Sequence, residues 1–132
     1  MAEQRQPYKG NPFRSWLRLG FKARDGSVHT LDLVADTGCP LAFVLRPDYM
    51  TRLTFGKTSN LDSNFGGMTG GWLRLYSPEI GLVEFVEGFG STSAAATVAK
   101  DHPDFVGLVG LPILRLGEYG GNSDEFWFRY PT

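Results

Sequence analysis

The sequence of 132 residues is short of several features, and each shortage excludes a class of protein. Its single cysteine rules out a disulfide within the chain, and two histidines make a zinc site improbable. Lysine and arginine form no block and the net charge is −1, which argues against a nucleic-acid or membrane surface. The longest apolar stretch, residues 105–114, is too short to span a bilayer, and residues 1–12 lack the apolar segment of a secretory signal. We therefore expect a cytoplasmic protein that binds neither nucleic acid nor membrane.

The features that are present indicate a small β protein. Seventeen glycines and 14% aromatic residues suit a chain of short strands and tight turns. The length allows one domain with a real core and is too short for two ordinary domains. We predict a polar N-terminal arm over residues 1–14 and a single domain over residues 15–132. The domain should be mostly β, with seven or eight strands in a closed or folded-over sheet and one or two short helices.

Local patterns place some of these elements along the chain. Residues 23–26 carry an Asp-Gly pair that predicts a hairpin turn, and ordered structure should begin at Ser15. Residues 46–53 predict a short helix, and a second one should start at Leu111 because proline is tolerated in a first helical turn. Residues 94–99 are interpreted as a strand.

The strongest local signal is the stretch Leu-Val-Ala-Asp-Thr-Gly-Cys-Pro-Leu at residues 33–41. An apolar run delivers Asp36 directly into a turn, where an ionised carboxylate is costly unless it is compensated. Two interpretations stay open at this point. Asp36 either accepts hydrogen bonds from backbone N–H groups in the turn, as aspartate commonly does, or it takes part in a chemical reaction.

Two further motifs bear on that choice. The first is Gly-Gly-Met-Thr-Gly-Gly, which consists of Gly66, Gly67, Met68, Thr69, Gly70 and Gly71. This motif is either a loop or a hairpin tip that bends over a ligand. The second motif is Leu108-Val109-Gly110, a core strand that leads into a helix-like segment. Gly110 could stand there because another stretch of backbone passes close by.

In this order and spacing, the three motifs resemble those of the retropepsin-like aspartic proteases, the single-domain relatives of retroviral protease. The resemblance covers about residues 16–130 and implies a small closed β-barrel of the acid-protease type. It assigns Asp36 as the catalytic carboxylate, with Thr37 and Gly38 as its support. It also assigns a flap to residues 64–72.

The same resemblance implies a function that needs two chains. Asp-Thr-Gly occurs once, so the active site of an aspartic endopeptidase would require a homodimer in which two Asp36 carboxylates meet on a two-fold axis. The pair would share a proton and activate a water molecule that hydrolyses a polypeptide substrate, with no metal or organic cofactor. The alternative is a catalytically inactive module of the same fold that binds peptides or dimerises, in which Asp36 only stabilises a turn.

The chain departs from the family pattern at a few positions. Cys39 stands where relatives have a small residue, and Pro40 has no N–H to offer to a substrate. Pro112 occupies a position near the start of the last helix where relatives often have a polar residue. A thiol nucleophile made of Cys39 with His102 as its base is a weaker alternative, because nothing in the local sequence supports it.

Overall fold

The computed structural model describes residues 2–63 and 66–131, and these residues form a mostly β protein. Within them lie ten strands: β1 Ala2–Pro7, β2 Trp16–Lys22, β3 Val28–Asp36, β4 Phe43–Leu45, β5 Lys57–Ser63, β6 Gly66–Ser77, β7 Leu82–Gly90, β8 Phe105–Gly110, β9 Glu118–Gly121 and β10 Glu125–Tyr130. The helices are α1 Pro47–Leu53, α2 Thr92–Asp101 and α3 Leu111–Leu114, and a 3₁₀ turn spans Pro78–Ile80. The predicted β class is confirmed, whereas the expected numbers of strands and helices are too low.

Six of the strands close into a barrel in the order β2-β3-β8-β4-β7-β6. The ring closes where β6 pairs back with β2, at Phe21 opposite Leu75. Beside this pair, the backbone N–H of Gly20 donates to Oγ of the buried Ser77 at 2.8 Å. A Cβ on Gly20 would collide with the carbonyl oxygen of Tyr76, so this seam requires glycine. The prediction of a closed sheet is thus confirmed.

Strand β8 is inserted between two strands that follow each other in the chain. It runs parallel to β3 on one side and antiparallel to β4 on the other. The segment that joins β3 to β4 therefore passes over the end of β8. This topology brings the Asp-Thr-Gly motif next to the Leu-Val-Gly motif, although more than sixty residues separate them in the sequence.

The core consists of two apolar clusters on opposite faces of the barrel wall. The larger cluster fills the barrel, and its most buried members include Leu17, Leu33, Phe43 and Leu73. The smaller one lies between the wall and α2 and is called here the α2-facing cluster. Its members are Trp16, Val34, Cys39, Val44, Met68, Phe89, Ala94, Val98, Phe105 and Leu108.

The N-terminal arm contributes a strand to a second, three-stranded sheet in the order β1-β10-β9. Strand β1 pairs antiparallel with β10, from Ala2 opposite Tyr130 to Pro7 opposite Glu125. The expectation that ordered structure begins at Ser15 is therefore wrong. The sequence does not indicate this strand because most of its residues are polar. Main-chain pairing with β10 and ion pairs such as Arg5 with Glu125 hold it in place.

Helix α2 replaces the strand that was expected over residues 94–99. Alanine has the highest helix propensity, and the buried Ser91 caps the helix by accepting a hydrogen bond from the N–H of Ala94 at 3.1 Å. The helix expected over residues 46–53 is confirmed as α1, and α3 begins at Leu111 as predicted. Among the described residues, no helix has the length and apolar character needed to cross a membrane.

Candidate active site

Asp36 is the last residue of β3, and the barrel wall fixes its position on both sides. In the parallel pairing of β3 with β8, Asp36 lies opposite Gly110. On the other side, the backbone N–H of Ala35 donates to the carbonyl oxygen of Ser15 at 2.9 Å, and the Ser15 hydroxyl donates to the carbonyl oxygen of Ala35 at 3.2 Å. The partly buried carboxylate therefore leaves a rigid strand at the point where the chain turns.

The turn after β3 uses one of the two carboxylate oxygens. Oδ1 of Asp36 accepts the backbone N–H of Gly38 at 2.9 Å, and the carbonyl oxygen of Asp36 accepts the N–H of Cys39 at 3.1 Å. Within the described part of the chain, Oδ2 makes no hydrogen bond. Thr37 and Gly38 are both exposed beside it. The turn-forming role considered from the sequence is therefore present, and it leaves one oxygen of the carboxylate available.

Gly110 lies beneath this turn, where no side chain fits. Its N–H donates to the carbonyl oxygen of Ala42 at 2.9 Å, and the next residue, Leu111, donates its N–H to the carbonyl oxygen of Cys39 at 3.0 Å. A Cβ on Gly110 would collide with the carbonyl oxygen of Leu41 and would lie 2.8 Å from that of Cys39. The prediction that another backbone passes close to Gly110 is confirmed.

Cys39 faces inward from the turn as a protonated thiol. It is 5% exposed, belongs to the α2-facing cluster and donates weakly from Sγ to the carbonyl oxygen of Leu41 at 3.6 Å. Burial raises the pKa of the Cys39 thiol, and the neighbouring Asp36 carboxylate also raises it. Nδ1 of His102 is occupied, since it accepts the backbone N–H of Asp104 at 3.1 Å. These contacts disfavour a Cys39–His102 nucleophile, because the thiolate is the reactive form.

The glycine-rich segment begins the second strand of a hairpin, so residues 66–71 are neither the loop nor the hairpin tip that the sequence suggested. Strand β5 pairs with β6, with Ser63 opposite Gly66 and Asp62 opposite Gly67. Gly66 has a φ of +81°, a backbone conformation that favours glycine. Of the predicted flap over residues 64–72, residues 64 and 65 lie outside the described residues. Gly66 and Gly67 are exposed beside the tip of the hairpin.

The other half of the predicted flap packs inside the sheet. Gly70 and Gly71 are buried, and a Cβ on either would collide with a threonine hydroxyl, that of Thr58 or that of Thr54. These two glycines therefore serve close packing and do not form a bending tip. Thr69 is exposed and pairs with Gly90, while the side chain of Met68 is 2% exposed and joins the α2-facing cluster.

The two prolines near the turn occupy positions that the backbone tolerates. Pro40 is exposed in the segment between β3 and β4, where it offers no N–H to a partner. Pro112 lies in the first turn of α3, where its missing N–H would have no helical partner.

An ion-pair network anchors the N-terminal arm near the outer face of β3. Nζ of Lys9 donates to Asp32 at 2.8 Å, and Nε of Arg18 donates to the same carboxylate at 2.7 Å. Burial alone would raise the pKa of Asp32, but these two cations hold it below its ordinary value. Lys9 also lies 3.7 Å above the ring of Trp16. No sequence pattern indicates this network, because Lys9 lies in a segment with no apolar periodicity.

Comparisons with protein-family models, curated proteins and solved structures found no match to this chain. The family resemblance stays a prediction that rests on the three motifs. Among the described residues, no group of three or more histidine, cysteine, aspartate or glutamate side chains could hold a metal ion.

Proposed function

We propose that this chain is an aspartic endopeptidase that works as a homodimer, with Asp36 of each copy as a catalytic carboxylate. The observation that carries the proposal is the geometry of Asp36. One oxygen accepts the N–H of Gly38, the other makes no hydrogen bond to any residue that the structure describes, and Gly110 of β8 lies directly opposite Asp36. A carboxylate with one oxygen fixed and one free is oriented for acid–base work without rearrangement.

The need for two copies follows from the single Asp-Thr-Gly motif. Thr37, Gly38 and Pro40 are exposed, so the surface around the carboxylate is open to a second copy on a two-fold axis. Two adjacent carboxylates would share one proton. One of them would take a proton from a water molecule that attacks the peptide carbonyl, and the other would donate its proton to the carbonyl oxygen.

The β5–β6 hairpin is the element that would cover a bound polypeptide. Its exposed Gly66 and Gly67 lie next to the tip, where backbone amides can approach a ligand closely. Its buried base, which includes Gly70 and Gly71, is packed against α1 and β5 through Thr54 and Thr58. A firm base with a glycine-rich end suits a flap that closes over the substrate and excludes water.

A catalytically inactive module of the same fold is the second candidate. The hydrogen bond from Gly38 already gives Asp36 a role in the turn, and the neighbouring Val34 and Cys39 pack in the core with residues of α2. Such a module would still dimerise or bind peptides. It would not cleave them.

The test is a cleavage assay on a library of blocked hexapeptides between about pH 4 and pH 7, where paired carboxylates share a proton. Asp36→Asn keeps an oxygen that can accept the N–H of Gly38, so the turn is preserved while the acid–base pair is lost. We expect this variant to cleave about 10²- to 10⁴-fold more slowly than the wild type. The control is Asp25→Asn, because Asp25 accepts the N–H of Ser27 in the same way. It should cleave like the wild type.

Two results would reject the proposed mechanism. The first is cleavage that persists in Asp36→Asn after repurification. The second is a wild-type protein that cleaves peptides while light scattering shows only monomer at the assay concentration. No cleavage by any variant, together with saturable peptide binding, would favour the inactive module.

A further inference from the structure

The barrel wall at β6 and β7 has an outward-facing surface that is mostly apolar. Leu73 and Leu75 of β6 and Leu82 of β7 fill the barrel interior. Because side chains alternate along a strand, the residues between them point outward. Phe55 lies beside β6, where its N–H donates to the carbonyl oxygen of Trp72 at 2.8 Å. We call this surface the β6–β7 face, and it consists of Phe55, Trp72, Arg74, Tyr76, Val83, Phe85 and Glu87.

The centre of the β6–β7 face is open to solvent. Trp72 is 47% exposed, Val83 46% and Phe85 57%, so no element of the described chain covers them. The rings of Phe55 and Phe85 meet edge to face with 5.3 Å between their centroids, and Cζ of Arg74 lies 5.8 Å from the centroid of Phe85. These contacts hold the aromatic side chains together as one cluster. A contiguous apolar patch of this kind marks an interaction surface.

The β6–β7 face carries one cation and one anion. In the pairing of the two strands, Arg74 lies opposite Phe85, and Glu87 lies opposite Trp72. Among the residues that the structure describes, neither Arg74 nor Glu87 makes an ion pair. Each charge can therefore pair with an opposite charge on another molecule. A face that carries both signs in equal number is complementary to a copy of itself.

This face lies on the opposite wall of the barrel from β3, which carries Asp36. In the closed ring β2-β3-β8-β4-β7-β6, two strands separate β3 from β7 in either direction. The contact between two Asp36 turns that the proposed function requires would therefore use a different surface. A further contact can form at the β6–β7 face without competing with it.

We propose that the β6–β7 face binds a second copy of this chain about a two-fold axis. The aromatic side chains of the two faces are then buried against each other, and each Arg74 pairs with the partner's Glu87. The net charge of −1 means that two copies repel each other only weakly. This contact goes beyond the dimer of the proposed function.

The size of the face sets the strength of the contact. An aromatic side chain buries roughly 150–250 Å², so the half-exposed Trp72 and Phe85, with their partly buried neighbours, offer roughly 500 Å² per copy. The total of about 1,000 Å² for two copies is near the lower limit for a specific interface. We therefore expect weak association that depends on protein concentration.

Sedimentation velocity on the full chain, from about 1 μM to about 1 mM, tests the contact. Phe85→Ala should weaken the association by about 30-fold or more, as is usual for an aromatic residue at the centre of an interface. Where the wild type is associated, its mass should be about twice that of Phe85→Ala. The matched control is Phe13→Ala, because Phe13 is 80% exposed and lies outside the face. It should associate like the wild type.

Charge reversal tests the symmetry of the contact. Arg74→Glu leaves only acidic charges on the face and Glu87→Arg leaves only basic ones, so each variant alone should associate at least about tenfold more weakly than the wild type. An equimolar mixture of the two variants brings opposite charges together again and should regain most of the lost association. Lys100→Glu, an exposed position on α2, changes the net charge as Arg74→Glu does and should have little effect. A mixture that associates no better than its components would overturn the two-fold pairing.

An NMR dilution series of the wild type locates the contact without any substitution. The indole N–H signal of Trp72 should shift on dilution, while that of Trp16, which is 4% exposed, should stay constant. A constant Trp72 signal while the mass changes would place the association elsewhere and overturn the proposal. Equal association of Phe85→Ala and the wild type would also overturn it. So would a wild type that does not associate at the highest concentration, which would leave the face to a different polypeptide.

Peptide cleavage separates this contact from the proposed function. If Phe85→Ala halves the mass but no variant cleaves the hexapeptides, the protease function fails and the contact stands. If the wild type cleaves peptides through Asp36 while Phe85→Ala keeps the mass of the wild type, the contact fails and the protease stands.

Discussion

Two turns of this chain hold an aspartate in nearly the same way. In the hairpin between β2 and β3, Asp25 accepts the backbone N–H of Ser27 at 2.9 Å, and after β3, Asp36 accepts the N–H of Gly38 at 2.9 Å. The surroundings differ. The Asp25 carboxylate also accepts the Ser27 hydroxyl at 2.6 Å on an exposed turn, whereas Asp36 ends a buried strand opposite Gly110.

A hydrogen bond within a turn does not by itself determine the function of the aspartate that accepts it. Both carboxylates stabilise a turn, and both could be explained fully by that role. The difference lies in what is fixed around them. Asp36 alone ends a strand buried in the barrel wall, opposite Gly110 where the backbone of another segment crosses, and these features suit a functional site.

The largest effect on stability should come from the crossing beneath the Asp36 turn. Gly110→Ala drives a methyl group into the carbonyl oxygen of Leu41, and we expect a loss of about 3 kcal/mol in the free energy of unfolding. Gly26→Ala, next to Asp25, meets open space at a φ of +85° and should lose only about 1 kcal/mol. Urea unfolding measures both. Similar losses would mean that the crossing is as adaptable as an exposed turn.

A smaller effect separates the two roles of the Asp36 carboxylate. Asp36→Ala removes the acceptor for the N–H of Gly38, and we expect it to lose about 1 kcal/mol of stability, whereas Asp36→Asn keeps an acceptor and should lose less than about 0.5 kcal/mol. Thermal or urea unfolding of the two variants gives the comparison. A loss in Asp36→Asn as large as in Asp36→Ala would show that the charge itself supports the turn.

The smallest effect concerns the titration of the Asp25 turn. The hydroxyl of Ser27 is the main cause, and its backbone N–H a second cause, that lower the pKa of Asp25. Stability from this group is present above the ordinary pKa of aspartate, about 3.9, and is lost as the pH falls through the lowered value. Ser27→Ala leaves one backbone N–H, as in the Asp36 turn, and should raise the pKa of Asp25 in an NMR titration. An unchanged pKa would assign the shift to the backbone alone.

The sequence predicted the parts of the fold that follow from strong local patterns. The Asp-Gly turn, the apolar strand before Asp36 and the helix starting at Leu111 all carry direct signals and are confirmed. The strand expected over residues 94–99 is wrong because this alanine-rich segment has a high helix propensity and forms α2. Strand β1 was missed because its order depends on pairing with β10, which lies far away in the sequence.

The same division holds for the candidate site. Asp36, Gly110 and the hairpin could be named from their motifs, since each motif requires a particular residue type at a particular position. The packing of α2 and its contact with the N-terminal arm could not, because Ala94 and Arg14 are ordinary residues and only the fold sets which neighbours they contact.

The seam between β2 and β6 has a consequence for the order in which the chain folds. At this seam a hydrogen bond joins Gly20 to Ser77, which lies 57 positions further along the chain. The bond is next to the residue pair Phe21 and Leu75, through which the two strands meet. Closing so long a loop costs conformational entropy before any contact repays it, while the β2–β3 and β6–β7 hairpins form locally. We therefore expect the two hairpins to form first. The pairings between distant segments, which are this seam and the pair of Asp36 with Gly110 74 positions apart, should form late and limit the rate of folding.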